Sequence, residues 1–203
     1  MGLDMYLYVT KNVYPHDFEH EDGKMTRKDN PMFNRIIESA ELDKTPTPEY
    51  GSIKVDKCVG YWRKANAVHG WIVRNCANGV DECQRISMSR EDLKNLRNAC
   101  VKELDNRSNA LPDVEPKVIN EHGENAEQVA QSIMDVMKSE SAKAHTTVML
   151  DDPLDLVPTA GFFFGSTSKD EYYYHSIEYT LDLMNSLLAY LTDDDYVYYE
   201  ASW

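Results

Sequence analysis

Eight residues near the start constrain the fold most. Leu3, Met5, Leu7 and Val9 alternate with Asp4, Tyr6, Tyr8 and Thr10, a period of two that matches a strand with one buried face. The aliphatic face needs a cover. The other face carries a carboxylate, two phenols and a hydroxyl, which suits contact with water.

Helical stripes elsewhere supply that cover. Ile177, Leu181, Met184, Leu188 and Leu191 recur at helical spacing and predict a long helix over 170–191. Ser89 with Asp92 three residues on reads as a capping box for a helix whose stripe is Leu93, Leu96, Cys100 and Leu104. Asn30 before Pro31 caps a short helix over 31–40. A further helix is expected from Tyr61 to about Asn75, ended near Asn78 and Gly79, and another over 125–138.

Additional strands are expected over 52–59, 84–88, 146–150, 161–167 and 195–203. Residues 14–30, 45–51, 105–124 and 153–158 read as loops or turns. Strands and helices mix without strict alternation, so the expected fold class is α+β: a mostly antiparallel or mixed sheet covered by helices. The expected organisation is one domain over residues 1–203, with a peripheral insertion at about 106–157.

Apolar residues make up 42% and charged residues 28% of the 203, the balance of a globular chain with a core rather than of a disordered one. The longest apolar runs fall far short of the roughly 20 residues that a membrane span needs, so no membrane association is expected. The opening segment has no basic stretch and carries Asp4 where a signal peptide would be apolar. Four cysteines without a CxxC pair argue against a zinc ribbon or redox motif and fit reduced thiols. A net charge of −14 repels phosphate backbones and disfavours direct nucleic-acid binding.

The segment GYWRKANAVHGW, residues 60–71, concentrates chemistry. Read as a helix, it places Trp62, Asn66 and His69 along one stripe, with Arg63, Asn66 and Gly70 along the next. Gly70 costs helix stability and implies close approach, either by another helix or by a ligand reached from Arg63, Asn66 and His69. Gly165-Ser166-Thr167 offers a turn that can hold an anion or simply cap the following helix. It is neither a Walker loop nor a GxSxG elbow.

His16 and His20 lack the glutamate of an HExxH motif, and Asp193 to Asp195 lack the offsets of an EF-hand. No metal site and no cofactor are expected. Eight of the 13 tyrosines lie at or after Tyr172, a density that suits interfaces or stacking on a heterocycle.

MGLDMYLY at the start, GYWRKANAVHGW followed by GVDEC, and GFFFGST with a terminal Ser-Trp resemble a family of small uncharacterised bacteriophage and prophage proteins. The blocks cover about a quarter of the chain. The resemblance implies a phage origin and a setting in the host bacterial cytoplasm, and it implies no reaction.

The reading these features favour is a phage accessory protein that binds a small anionic or nucleotide-like ligand, sequestering a host defence signal. Its expected site residues are Asp4, Trp62, Arg63, Asn66, His69, Ser166 and Thr167, of which Asp4, Arg63, Asn66, His69 and Ser166 are expected around one concavity. Two alternatives stay open: a phosphoester hydrolase with His69 as acid or base and Asp4 or Asp170 as its partner, or an acidic interaction protein that blocks a host factor. Self-association is also left open.

Overall fold

A computed structural model describes residues 2–46, 48, 51–110 and 155–203. The expected helix over 125–138, the strand over 146–150 and most of the expected insertion lie outside the described residues.

The opening alternation becomes strand β1 (Asp4–Val13): Leu3 just before it and Met5 and Leu7 on it are fully buried, while Tyr6 and Tyr8 are half-exposed. Strand β2 (His16–Glu21) and strand β3 (Lys24–Asp29) follow, then helix α1 (Pro31–Ser39), strand β4 (Ile53–Arg63) and helix α2 (Asn66–Cys76). Strand β5 (Ile86–Met88), helix α3 (Arg90–Ala110), helix α4 (Glu171–Tyr190) and strand β6 (Asp195–Ser202) complete the described elements. Four strands form one antiparallel sheet in the order β4-β1-β6-β5. The α+β class is as expected.

Helices α2, α3 and α4 share the core with the dry face of this sheet. Met5 and Leu7 of β1 and Val197, Tyr199 and Ala201 of β6 join Val68, Trp71 and Ile72 of α2, Leu93 and Leu96 of α3, and Ile177 and Met184 of α4. Full burial of one such aliphatic or aromatic side chain contributes about 1.5–3 kcal/mol. On the opposite face, Arg85 lies over the rings of Tyr198 and Tyr8 at 4.5 and 5.4 Å and pairs with Asp56 at 3.0 Å and Glu200 at 3.3 Å.

The two predicted caps form. Asn30 Oδ1 accepts from the Met32 amide at 2.9 Å. At α3 the Ser89 amide donates to Asp92 Oδ2 at 2.7 Å while the Asp92 amide donates to Ser89 Oγ at 3.1 Å, a reciprocal pair that satisfies otherwise orphaned donors.

Four expectations are corrected. Residues 14–30 are not a loop but the β2–β3 hairpin, turning at Asp22 and Gly23 with φ of 49° and 75°. That conformation matches the twist of paired strands. The described hairpin side chains are exposed apart from a half-buried His16, so no apolar alternation marks it.

The segment 60–63 is strand, not helix. Asp4, Met5, Tyr6 and Leu7 pair with Arg63, Trp62, Tyr61 and Gly60, and those ladder bonds override the helical spacing. A bulge follows, because Leu7 faces Gly60 and Tyr8 faces Cys58, leaving Val59 as the extra residue. Lys64 then takes φ of 57°, turning the chain before α2 begins at Asn66. Asn66 through Val73 are all buried, as expected of a helix surrounded by the fold rather than laid on its surface.

Residues 161–167 form a turn and irregular loop instead of a strand, with the Phe164 amide donating to the Gly161 carbonyl at 3.1 Å and Gly165 at φ of 87°. The expected insertion boundaries also move. Helix α3 continues through 110, and Leu156 is 3% exposed within the core.

Candidate functional site

The C-terminal end of β4 is a sheet edge, and α4 covers it. The Tyr61 amide donates to the Tyr179 hydroxyl at 3.3 Å, and the Tyr172 hydroxyl donates to the Arg63 carbonyl. Both outward-facing backbone groups are thereby satisfied. Because the two phenols are held at their tips, their rings stand as walls beside the edge.

Between strand and helix lies a cleft of 430 Å³, lined by Tyr61, Arg63, Tyr172, His175 and Tyr179 with the buried Trp62 and Ala65 in its wall. This volume lies in the usual range for small-ligand sites, about 300–1,000 Å³. Trp62 is anchored by its indole N–H, which donates to Thr180 Oγ1 at 2.8 Å, and its ring meets Tyr179 edge-on at 5.7 Å.

The side chains of Arg63 and His175 are exposed and have no hydrogen-bond or ion-pair partner among the described residues. Several other cations of the chain are engaged: Lys169 with Glu103 at 2.6 Å, Lys102 with Asp155 at 2.9 Å, and Arg107 with Glu171 at 2.7 Å. In a chain of 35 acidic and 21 basic side chains, an unpaired arginine beside a cleft is an available anion contact.

A smaller pocket of 70 Å³ adjoins the cleft and shares Ala65, Tyr172 and Ser176 with it. Lys64, Asn66, Ser166, Ser168 and Asp170 line it as well. The stem of Lys64 runs along Gly165, where an added Cβ would stand 3.2 Å from Lys64 Cδ.

The sequence-predicted site residues divide. Trp62 and Arg63 line the cleft, and Asn66 and Ser166 line the adjoining pocket. Asp4 belongs to neither lining: its carboxylate accepts from the Tyr61 hydroxyl at 2.6 Å, and that bond raises the Tyr61 pKa above the ordinary phenol value. Thr167 is exposed on the loop and outside both linings.

His69 is 1% exposed. Its Nδ1 meets the Tyr199 hydroxyl at 2.7 Å and its Nε2 meets Asp81 Oδ2 at 2.9 Å. Burial, followed by the charge of Asp81, raises the Tyr199 pKa well above the ordinary value, so the phenol keeps its proton. Both ring nitrogens of His69 are engaged, one by Tyr199 and one by Asp81, and the imidazole has no nitrogen left for a substrate.

Asn66 is likewise committed. Its amide donates to the carbonyls of Phe164 at 3.1 Å and Ser166 at 2.7 Å, and its oxygen accepts from the Thr159 amide at 3.3 Å. Asn66 therefore shapes the pocket by stapling its loop. Gly70 makes the close approach that its position implied, but to this loop: an added Cβ would stand 2.0 Å from Thr159 Oγ1.

Tyr172, His175, Ser176 and Tyr179 were not singled out as a site from the sequence. Their spacings of three, one and three form one helix stripe beside the Ile177 and Met184 core stripe, which is a legible signal. Among the described residues, no group of three or more His, Cys, Asp or Glu side chains could hold a metal ion. Comparison of the chain with profiles of known families, with curated proteins and with solved structures finds no match.

Proposed function

We propose that the cleft between β4 and α4 binds a small anionic, nucleotide-like ligand, its flat ring against the tyrosine walls and its anion at Arg63. The unpaired Arg63 guanidinium at the rim of an aromatic cleft is the observation that supports this reading. His69, the acid or base of the hydrolase alternative, is buried and bonded at both nitrogens, and no nucleophile and base are paired among the described residues of the cleft, so binding without turnover is favoured over phosphoester hydrolysis. In the phage setting that the resemblance implies, such binding serves to sequester a host signal.

Calorimetric titration with the ribonucleoside monophosphates tests the reading. Arg63→Ala is expected to weaken binding by about 10- to 150-fold, the value of a charge-assisted hydrogen bond. Lys64→Ala is expected to weaken it less, because Lys64 lines the adjoining pocket and not the cleft. If no nucleotide binds, or if Arg63→Ala binds like wild type, the reading is wrong.

A further inference from the structure

The small pocket beside the cleft has a different chemistry from the cleft itself. Asp170 uses only one carboxylate oxygen, Oδ1, which accepts from the Tyr173 amide at 2.9 Å and caps α4. Its Oδ2 has no partner among the described residues, and the same holds for the Ser168 hydroxyl. The Ser176 hydroxyl gives its proton to the Tyr173 carbonyl at 2.7 Å and so presents only lone pairs. Asn66, the one amide in the lining, is spent on the loop carbonyls. The pocket sets the free carboxylate oxygen of Asp170 opposite donors, the Lys64 ammonium and the Ser166 and Ser168 hydroxyls, so its one negative and one positive charge offset each other. A lining that both accepts and donates, without net charge, suits neutral hydroxyl groups, which do the same. Across the shared wall of Ala65, Tyr172 and Ser176, the cleft presents Arg63 and His175 instead.

We infer that this pocket takes the vicinal hydroxyls of a sugar, so that the ligand of the cleft is a ribonucleotide rather than a deoxyribonucleotide. The inference rests on the nucleotide reading of the cleft. The two subsites share a wall, so one ligand with an anion and a pair of hydroxyls, as in a ribonucleotide, can reach both. At 70 Å³ against 430 Å³, the pocket suits the hydroxyl edge of a sugar and the cleft the ring system.

The test is titration of the wild-type chain with the four ribonucleoside monophosphates and their 2′-deoxy counterparts. It is repeated on Asp170→Asn, whose asparagine still caps a helix well but replaces the free carboxylate oxygen by an amide. Wild type is expected to bind the ribose form roughly tenfold or more tightly, the range for a hydrogen bond to a charged acceptor. In Asp170→Asn that ratio is expected to fall toward one, with the melting temperature little changed. Equal affinity of wild type for both sugars overturns the inference and leaves the cleft reading standing. A ratio that survives in Asp170→Asn overturns the assignment to this pocket. Failure of wild type to bind any of the eight nucleotides removes the cleft reading and the inference with it.

Discussion

His69 and Tyr199 meet at 2.7 Å in the interior, joining α2 to the central part of the sheet through a single hydrogen bond. Asp81 holds the opposite nitrogen at 2.9 Å, so the three side chains tie a helix, a loop and a strand together. Tyr199→Phe keeps the ring and leaves Nδ1 buried without a partner. A loss of roughly 1–3 kcal/mol in unfolding free energy is expected, measured by urea denaturation. Nucleotide affinity should not change, because His69 lies outside the cleft. A large loss of binding with unchanged stability would instead make His69 a functional group.

Asn66→Ala removes three bonds to the loop over 159–166. It is expected to destabilise by about 1–3 kcal/mol and to admit protease cleavage within that loop. Asn66→Asp is expected to be worse, since it aims a carboxylate at the two carbonyl oxygens that the amide now satisfies. Limited proteolysis followed by mass spectrometry reads the difference.

Gly70→Ala sets two effects against each other. Alanine improves helix propensity by about 1 kcal/mol, while a Cβ placed 2.0 Å from Thr159 Oγ1 forces overpacking that typically costs about 1–3 kcal/mol. The net expectation is a lower melting temperature. Combination with Thr159→Ala should recover much of the loss, since the clashing oxygen is gone. Recovery that fails would locate the constraint elsewhere than at this contact.

Asp195 sets an acid limb. The backbone bond from Thr192 at 2.8 Å, with smaller help from the Thr192 hydroxyl and Lys11, lowers its pKa below the ordinary 3.8. A depressed carboxylate stabilises the fold above its unfolded pKa, and that stability disappears as pH falls through the folded value. The difference in unfolding free energy between wild type and Asp195→Asn should therefore be constant above about pH 5 and shrink below about pH 4. Chemical denaturation across this window checks the sign, and a difference that grows toward acid would contradict it.

Local chemistry was legible wherever a signal is complete within a few residues. The alternation of Leu3 to Tyr8, the Asn30 cap and the Ser89–Asp92 box each appear in the structure, because a period of two or a side chain bonding its own backbone needs no distant partner. Beyond Tyr8 the alternation fails, since Thr10 is 2% exposed and Val9 only half-buried. Arg63 and Ser166 could be marked from composition, as a cation and a turn hydroxyl. Their placement in adjoining pockets could not, since it depends on contacts between segments about 100 residues apart, such as Asn66 with the Phe164 and Ser166 carbonyls.

The sequence by itself determined the α+β class, one wet and one dry face on the first strand, and the identities of the caps. Tertiary structure alone decided that Tyr61 to Arg63 are strand, because pairing with Asp4 to Tyr6 outweighs a helical spacing that eleven flanking residues share. It also decided that His69 is interior and that Tyr172, His175 and Tyr179 face a cleft. The reason is the same in each case: burial and hydrogen-bond partners arise from chain segments distant in sequence, more than 50 residues apart for the strand pairing and more than 100 for the cleft and for His69 with Tyr199, and no periodicity in one segment records where another will lie.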